Sequence, residues 1–248
     1  MLRPALLALA ASVLASGALA QTPSAPSPNP GAAPAAAPAA KPNPRVRVET
    51  AEGAFVIELY PDKAPITVAN YLRYVDRGLF VGATCFRASK PKDYAKDDYG
   101  LVQCGQKDPA KKLPPIAHES TIKTGLTHGK DGVVSMGRFA PGTAQADWSI
   151  MLGDMSYLDA DPKNPAANPG FAAFGQVVEG LEVIRKIIVM PTDPTKGEGA
   201  MKGEILIKPV RIVKVSRVPA TPPAPAAGAV PTSPPPAAGA PPAATPSN

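Results

Sequence analysis

Gly125-Leu126-Thr127-His128-Gly129-Lys130-Asp131-Gly132-Val133-Val134-Ser135-Met136-Gly137-Arg138, continued by Ala140-Pro141-Gly142-Thr143-Ala144-Gln145-Ala146-Asp147-Trp148-Ser149-Ile150, is the stretch from which the fold is read. Glycines punctuate a turn that leads into a short apolar strand over 132–136. A loop of small residues follows, then a second strand over 148–152 of the form polar–aromatic–x–aliphatic. Two short strands this close, separated by turn residues, belong to a β-rich domain.

Outward from this stretch the same grammar repeats. Val46, Val48 and Thr50 alternate with polar residues, Ala51-Glu52-Gly53 makes a turn, and Phe55, Ile57 and Leu59 alternate again, which is a hairpin pattern. Pro65 then stands in the first turn of a helix, where its missing N–H costs nothing. Val68, Tyr71, Leu72 and Val75 follow at helical spacing, and Gly78 is the stop. Further strands are predicted over 83–88, 100–104 and 171–178, with the last strands within 205–218. Leu181, Ile184, Ile187 and Ile188 form a second amphipathic helix that Pro191 ends. Many short strands with two helices imply a mainly β fold, a closed antiparallel barrel with helices over its open ends.

The flanks differ in kind. Residues 21–44 and 219–248 are Pro/Ala-rich and hold almost nothing large and apolar, so both are expected to be disordered, solvated tails. Residues 1–20 read as an export signal, with Arg3, an apolar run from Ala5 to Ala15, and Ala18-Leu19-Ala20 as the cleavage site. Gln21 follows the cut where a lipoprotein needs cysteine. The expected organisation is signal 1–20, linker 21–44, folded domain 45–218 and tail 219–248. The mature chain is expected to be periplasmic and monomeric, without membrane insertion.

The chain carries 26 Lys and Arg against 20 Asp and Glu. Acidic and basic residues are interspersed even in the densest region, Lys90 to Lys112, which argues against nucleic-acid binding. Cys85 and Cys104 in an oxidising compartment make a disulfide plausible.

Four further segments join the central stretch in order across nearly all of 45–218. They are Pro65-Ile66-Thr67-Val68-Ala69-Asn70-Tyr71-Leu72 with Gly78-Leu79-Phe80, then Thr84-Cys85-Phe86-Arg87, then Leu101-Val102-Gln103-Cys104-Gly105, then Phe174-Gly175-Gln176-Val177-Val178-Glu179-Gly180. Together they resemble the cyclophilins, which isomerise peptide bonds before proline. The resemblance implies a closed eight-stranded antiparallel β-barrel capped by two α-helices, and proline-containing polypeptides as clients. It gives Arg87 the place of the catalytic arginine and Gln103 that of the glutamine that holds it and contacts substrate. Leu101 stands for a pocket methionine. Met136 and Leu158 fall near the proline slot, and Met136 reads equally as core. On the two strands that the implied fold pairs, Cys85 and Cys104 fall opposite each other, so a cross-strand disulfide is expected.

The chemistry suits this set. Amide resonance opposes rotation by ~18–20 kcal/mol, and no bond is made or broken. Neither nucleophile, metal nor cofactor is expected; what is needed is an apolar slot and a fixed cation favouring the twisted amide.

Departures from the family pattern also matter. Gly100 or Tyr99 stands where an aromatic precedes the glutamine strand, and Ser149 where a pocket phenylalanine is usual. Phe171 replaces a pocket histidine. Trp148 points away from Ser149 and reads as core. Asp147 is a carboxylate within reach of Arg87, with a solvated loop aspartate as the other reading. Two long excursions, 88–99 and 159–169, flank the expected cleft. The implied activity is therefore a reduced or shifted isomerase, with a peptide-binding or chaperone module as the alternative. A hydrolase assembled from Ser135, Ser149, His128 and Asp147 lacks a nucleophile elbow, and His118 with His128 is too small a set for a metal. The Ala-Pro tails are spacers or occupants of the cleft.

Overall fold

The computed structural model describes residues 42–219. The export signal, nearly all of the linker and the tail beyond residue 219 lie outside the described residues.

The strands are β1 (Arg45–Thr50), β2 (Gly53–Leu59), β3 (Thr84–Ser89), β4 (Gly100–Gly105), β5 (Val133–Met136), β6 (Trp148–Leu152), β7 (Ala172–Glu179), β8 (Thr192–Asp193) and β9 (Ile205–Val218). The helices are α1 (Pro65–Asp76), α2 (Thr121–Thr124) and α3 (Leu181–Ile188). Strands pair in the order β1-β2-β7-β5-β6-β4-β3-β9, and β1 pairs with β9 to close an eight-stranded antiparallel barrel. The two-residue β8 pairs with β9 outside this ring. The barrel read from the motifs is therefore the observed fold, with two small additions, β8 and α2. A single turn of helix, α2, starts at Ser120, whose hydroxyl accepts from the Ile122 N–H, and stops at Gly125 at φ 68°. Four residues are too few for a periodicity to register.

One correction concerns the C-terminal strands. Residues 205–218 form a single strand whose first part pairs with β3 and whose second part pairs with β1. Its register against β3 jumps from Val210 opposite Cys85 to Ile205 opposite Arg87. Pro209 lies in the extra length, where a missing ladder donor is tolerated.

Alternation along each strand sorts side chains between the barrel interior and the outer wall. Val46, Val48, Phe55, Ile57, Val102, Cys104, Val134, Trp148, Ile150 and Phe174 join one buried core. Residues of the opposite phase, Leu101, Val133, Met151 and Ala173, form a second, smaller cluster with Met155. The two longer helices turn apolar faces to the main core, α1 through Val68, Tyr71 and Val75 and α3 through Ile184, Ile187 and Ile188. Trp148 is the aromatic hub, with ring centroids 5.7 Å from Tyr71 and 6.3 Å from both Phe55 and Phe80. Cys85 and Cys104 face each other across β3 and β4, and their sulfurs are bonded.

Candidate active site

The outer-wall phase of four neighbouring strands builds a polar row. Ser135 on β5 stands opposite Ser149 on β6, Ser149 opposite Gln103 on β4, and Gln103 opposite Arg87 on β3. A bulge between Cys85 and Arg87 interrupts the alternation of β3. Cys85 and Ala88 stay in the core, while Phe86 and Arg87 both reach the outer cavity. A bulge that redirects a side chain at a site is a recurrent device.

Above this row lies a cavity of about 700 Å³. Arg87, Leu101, Gln103, Met136, Asp147, Ser149, Leu158 and Phe171 all line it. The structure thus brings together every site residue that the sequence singled out. Met136 is shared: it belongs to the main core and also borders the cavity. Apolar lining comes also from Phe86 and Met151, neither read as site residues from the sequence.

Arg87 is held on two sides. Its Nη1 donates to Gln103 Oε1 at 3.0 Å, and its Nε donates to Glu204 Oε2 at 2.7 Å. A guanidinium has five N–H donors, so capacity remains for an acceptor in the cavity. Among the described residues the Gln103 side chain makes no other hydrogen bond, so its amide N–H groups are unused there.

Asp147 does not pair with Arg87, one of the two readings its position left open. Its carboxylate accepts from Lys107 Nζ at 3.0 Å, and its other oxygen is buried with no partner among the described residues. Packing decides this. The aspartate lies against Gly105, where an added Cβ would sit 1.9 Å from Oδ1, and its carbonyl accepts from the Gly137 N–H at 2.7 Å. Glu204 is the carboxylate that meets Arg87, and its distance in sequence hid it.

The missing aromatics are only partly replaced. Tyr99 packs with Leu101 and Leu158 on the second cluster and does not line the cavity. Phe86 and Phe171 supply rings, but Lys107 Nζ lies 3.7 Å from the Phe86 centroid and the Arg138 guanidinium 4.7 Å from that of Phe171. Cation–π contact of this kind favours a fixed ring orientation. Neither excursion, 88–99 beyond Ser89 nor 159–169, supplies lining. The segment 198–204 does, through Glu198, Ala200, Met201 and Glu204.

At the far end of the row, Ser135 meets His128 Nε2 at 2.8 Å, and His128 Nδ1 lies 2.5 Å from Asp159 Oδ1. Because a carboxylate only accepts, Nδ1 carries the proton and the hydroxyl donates to Nε2. Asp159 rather than Asp147 is thus the partner of this histidine. His128 is fully buried and Ser135 is 1% exposed, so the chain braces the cavity wall. His118 is elsewhere, with Nε2 2.9 Å from the Pro169 carbonyl.

Burial lowers the His128 pKa below its ordinary 6.5, with Asp159 opposing. The unfolded chain then binds a proton at a higher pH than the folded one. The His128 contribution is complete above about pH 6.5 and is lost as pH falls below it, down to the lowered folded value. Urea melts at pH 7.5 and 5.5 are expected to show a smaller acid loss of stability in His128→Gln than in wild type. Equal losses would mean that another group carries the dependence.

The family described as cyclophilin type peptidyl-prolyl cis-trans isomerase/CLD matches residues 45–217. A peptidyl-prolyl cis-trans isomerase of Acinetobacter baylyi is 31% identical over 70% of this chain and 85% of its own length. A peptidyl-prolyl cis-trans isomerase-like 1 of Neurospora crassa is 31% identical over 68% of this chain and 94% of its own. A crystal structure of a Cryptosporidium parvum cyclophilin type isomerase superposes with TM-score 0.55 at 18% identity, covering 71% of this chain and 98% of that one. At that identity the superposition speaks for the fold. A second structure of that protein, determined in the presence of the dipeptide Ala-Pro, has TM-score 0.53 and covers 69% and 97% of the two chains.

Proposed function

Because the chain belongs to the cyclophilin-type peptidyl-prolyl cis-trans isomerase family, we propose that its outer-wall cavity isomerises prolyl bonds of exported proteins, with Arg87 as the catalytic residue. The observation that carries this is the guanidinium in the cavity wall, fixed by Gln103 beside the apolar surface of Leu101, Met151 and Phe86.

In the planar amide, nitrogen shares its lone pair with the carbonyl. Rotation localises that pair on the prolyl nitrogen. A donor aimed at the nitrogen is therefore bound more tightly by the twisted amide than by either planar form, and that difference lowers the barrier. Leu101, Met136, Leu158 and Phe171 seat the ring. Gln103 donates to the substrate backbone while its carbonyl keeps Arg87 in place. Residues 1–20 address the chain to the periplasm, and the Cys85–Cys104 bond fits an oxidising compartment. The crystal structure determined with Ala-Pro supports a proline-containing ligand.

A second reading is a peptide-binding module with little turnover. Ser149 in the wall, in place of a ring, favours it. A protease-coupled assay on an X-Pro peptide separates the two. The purified chain is expected to speed cis-to-trans conversion; binding of the same peptide without acceleration would leave the second reading.

A further inference from the structure

Arg87 is gripped by a residue from a distant part of the chain. Glu204 is the last residue before β9, and its backbone is tied down on both sides: its carbonyl accepts from the Ala88 N–H at 3.0 Å and its N–H donates to Met201 O at 3.1 Å. The carboxylate splits its two oxygens. Oε2 takes Arg87 Nε at 2.7 Å and lies 2.6 Å from Nη2, while Oε1 takes the Ser89 hydroxyl at 2.7 Å. The side chains are 16% and 22% exposed, so water screens the pair only in part.

We propose that Glu204 is a positioning residue for Arg87, aiming the guanidinium into the cavity while its negative charge weakens the cation that the substrate meets. This rests on the isomerase reading of the same site. The two effects have opposite signs. A carboxylate clamped by Ser89 removes rotamer freedom from Arg87, which otherwise hangs on Gln103 alone. The same carboxylate, in contact with the guanidinium, offsets part of the positive potential that a twisted prolyl amide uses.

Substitution separates them. Glu204→Gln keeps the length of the side chain and an acceptor for Nε but loses the charge. Glu204→Ala loses both. In the isomerase assay, Glu204→Gln is expected to exceed wild type in kcat by about threefold, as the cation is unmasked. Glu204→Ala is expected to fall by about tenfold in kcat with KM nearly unchanged, as the guanidinium loses its aim. A scaffolding role alone would lower both variants together and would not produce the rise.

Arg87→Ala is run beside them, as is Arg87→Ala with Glu204→Gln, which is expected to be no faster than Arg87→Ala. If Arg87→Ala is slow while both Glu204 variants match wild type, the inference fails and the isomerase reading stands. If Glu204→Gln drops to the level of Glu204→Ala, attenuation is overturned. If Arg87→Ala equals wild type, Arg87 is out of the chemistry and the inference falls with it; if the wild type itself does not speed the conversion, the isomerase reading fails.

Discussion

Replacing Arg87 by alanine is expected to lower kcat/KM for prolyl isomerisation by about a hundredfold, or about 2.7 kcal/mol of transition-state stabilisation. The size follows from the work asked of the residue. Among the described residues no other cation stands in the polar row: Lys112 lines the cavity outside that row, Lys107 is taken by Asp147, and Arg138 donates to the carbonyls of Phe139 and Gly170. The loss should appear in kcat rather than KM, because the apolar lining that seats the ring is untouched. Arg87→Lys should recover little, since an ammonium cannot serve Gln103 and Glu204 in the planar geometry that the guanidinium uses. Glu204 loses its counter-charge in either variant, so thermal melts of Arg87→Ala and of Arg87→Ala with Glu204→Ala serve as folding controls. A folded Arg87→Ala protein with the wild-type rate would remove Arg87 from the chemistry.

Trp148→Ala is expected to destabilise the domain by about 3–5 kcal/mol. The indole is fully buried at the meeting point of β2, α1 and β6, in contact with Phe55, Tyr71 and Phe80. Its removal leaves a hole between a helix and the barrel that neither can close without breaking strand register. Among the described residues the indole N–H has no acceptor, so Trp148→Phe discards an unsatisfied donor along with some contact area. That variant should cost about 1 kcal/mol. Urea denaturation at constant m-value is the measurement. A loss under 1 kcal/mol for the alanine variant would show that the aromatic hub is not the anchor of the core.

The two residues occupy successive phases of one wall. Trp148 points inward, and its neighbour Ser149 points outward into the cavity. This much was legible beforehand, because a strand alternates its faces regardless of what surrounds it. The same rule exposed the hairpin of β1 and β2, and helical spacing exposed α1 and α3. Arg87 and Gln103 were legible for another reason. Each lies within a short contiguous motif that resembles the cyclophilin pattern, and that resemblance set them in one site. Asp147 shows where such reading ends. A pairing with Arg87 was one of its two open readings, yet the space beside Gly105 and the nearness of Lys107 turned it elsewhere.

The order of side chains along the chain was enough to specify a mainly β barrel and the faces of its strands, because periodicity is a local property, and the resemblance of its short motifs to the cyclophilins pointed to Arg87, Leu101, Gln103 and Phe171. Closure of the ring decided the rest. Only when β9 runs from β3 to β1 does Glu204 arrive beside Arg87, more than a hundred residues earlier in the chain, and only the packed wall sets Asp159, His128 and Ser135 in line. Such pairings depend on which strands become neighbours and on where a bulge shifts their register, and neither is written in the spacing of any one segment.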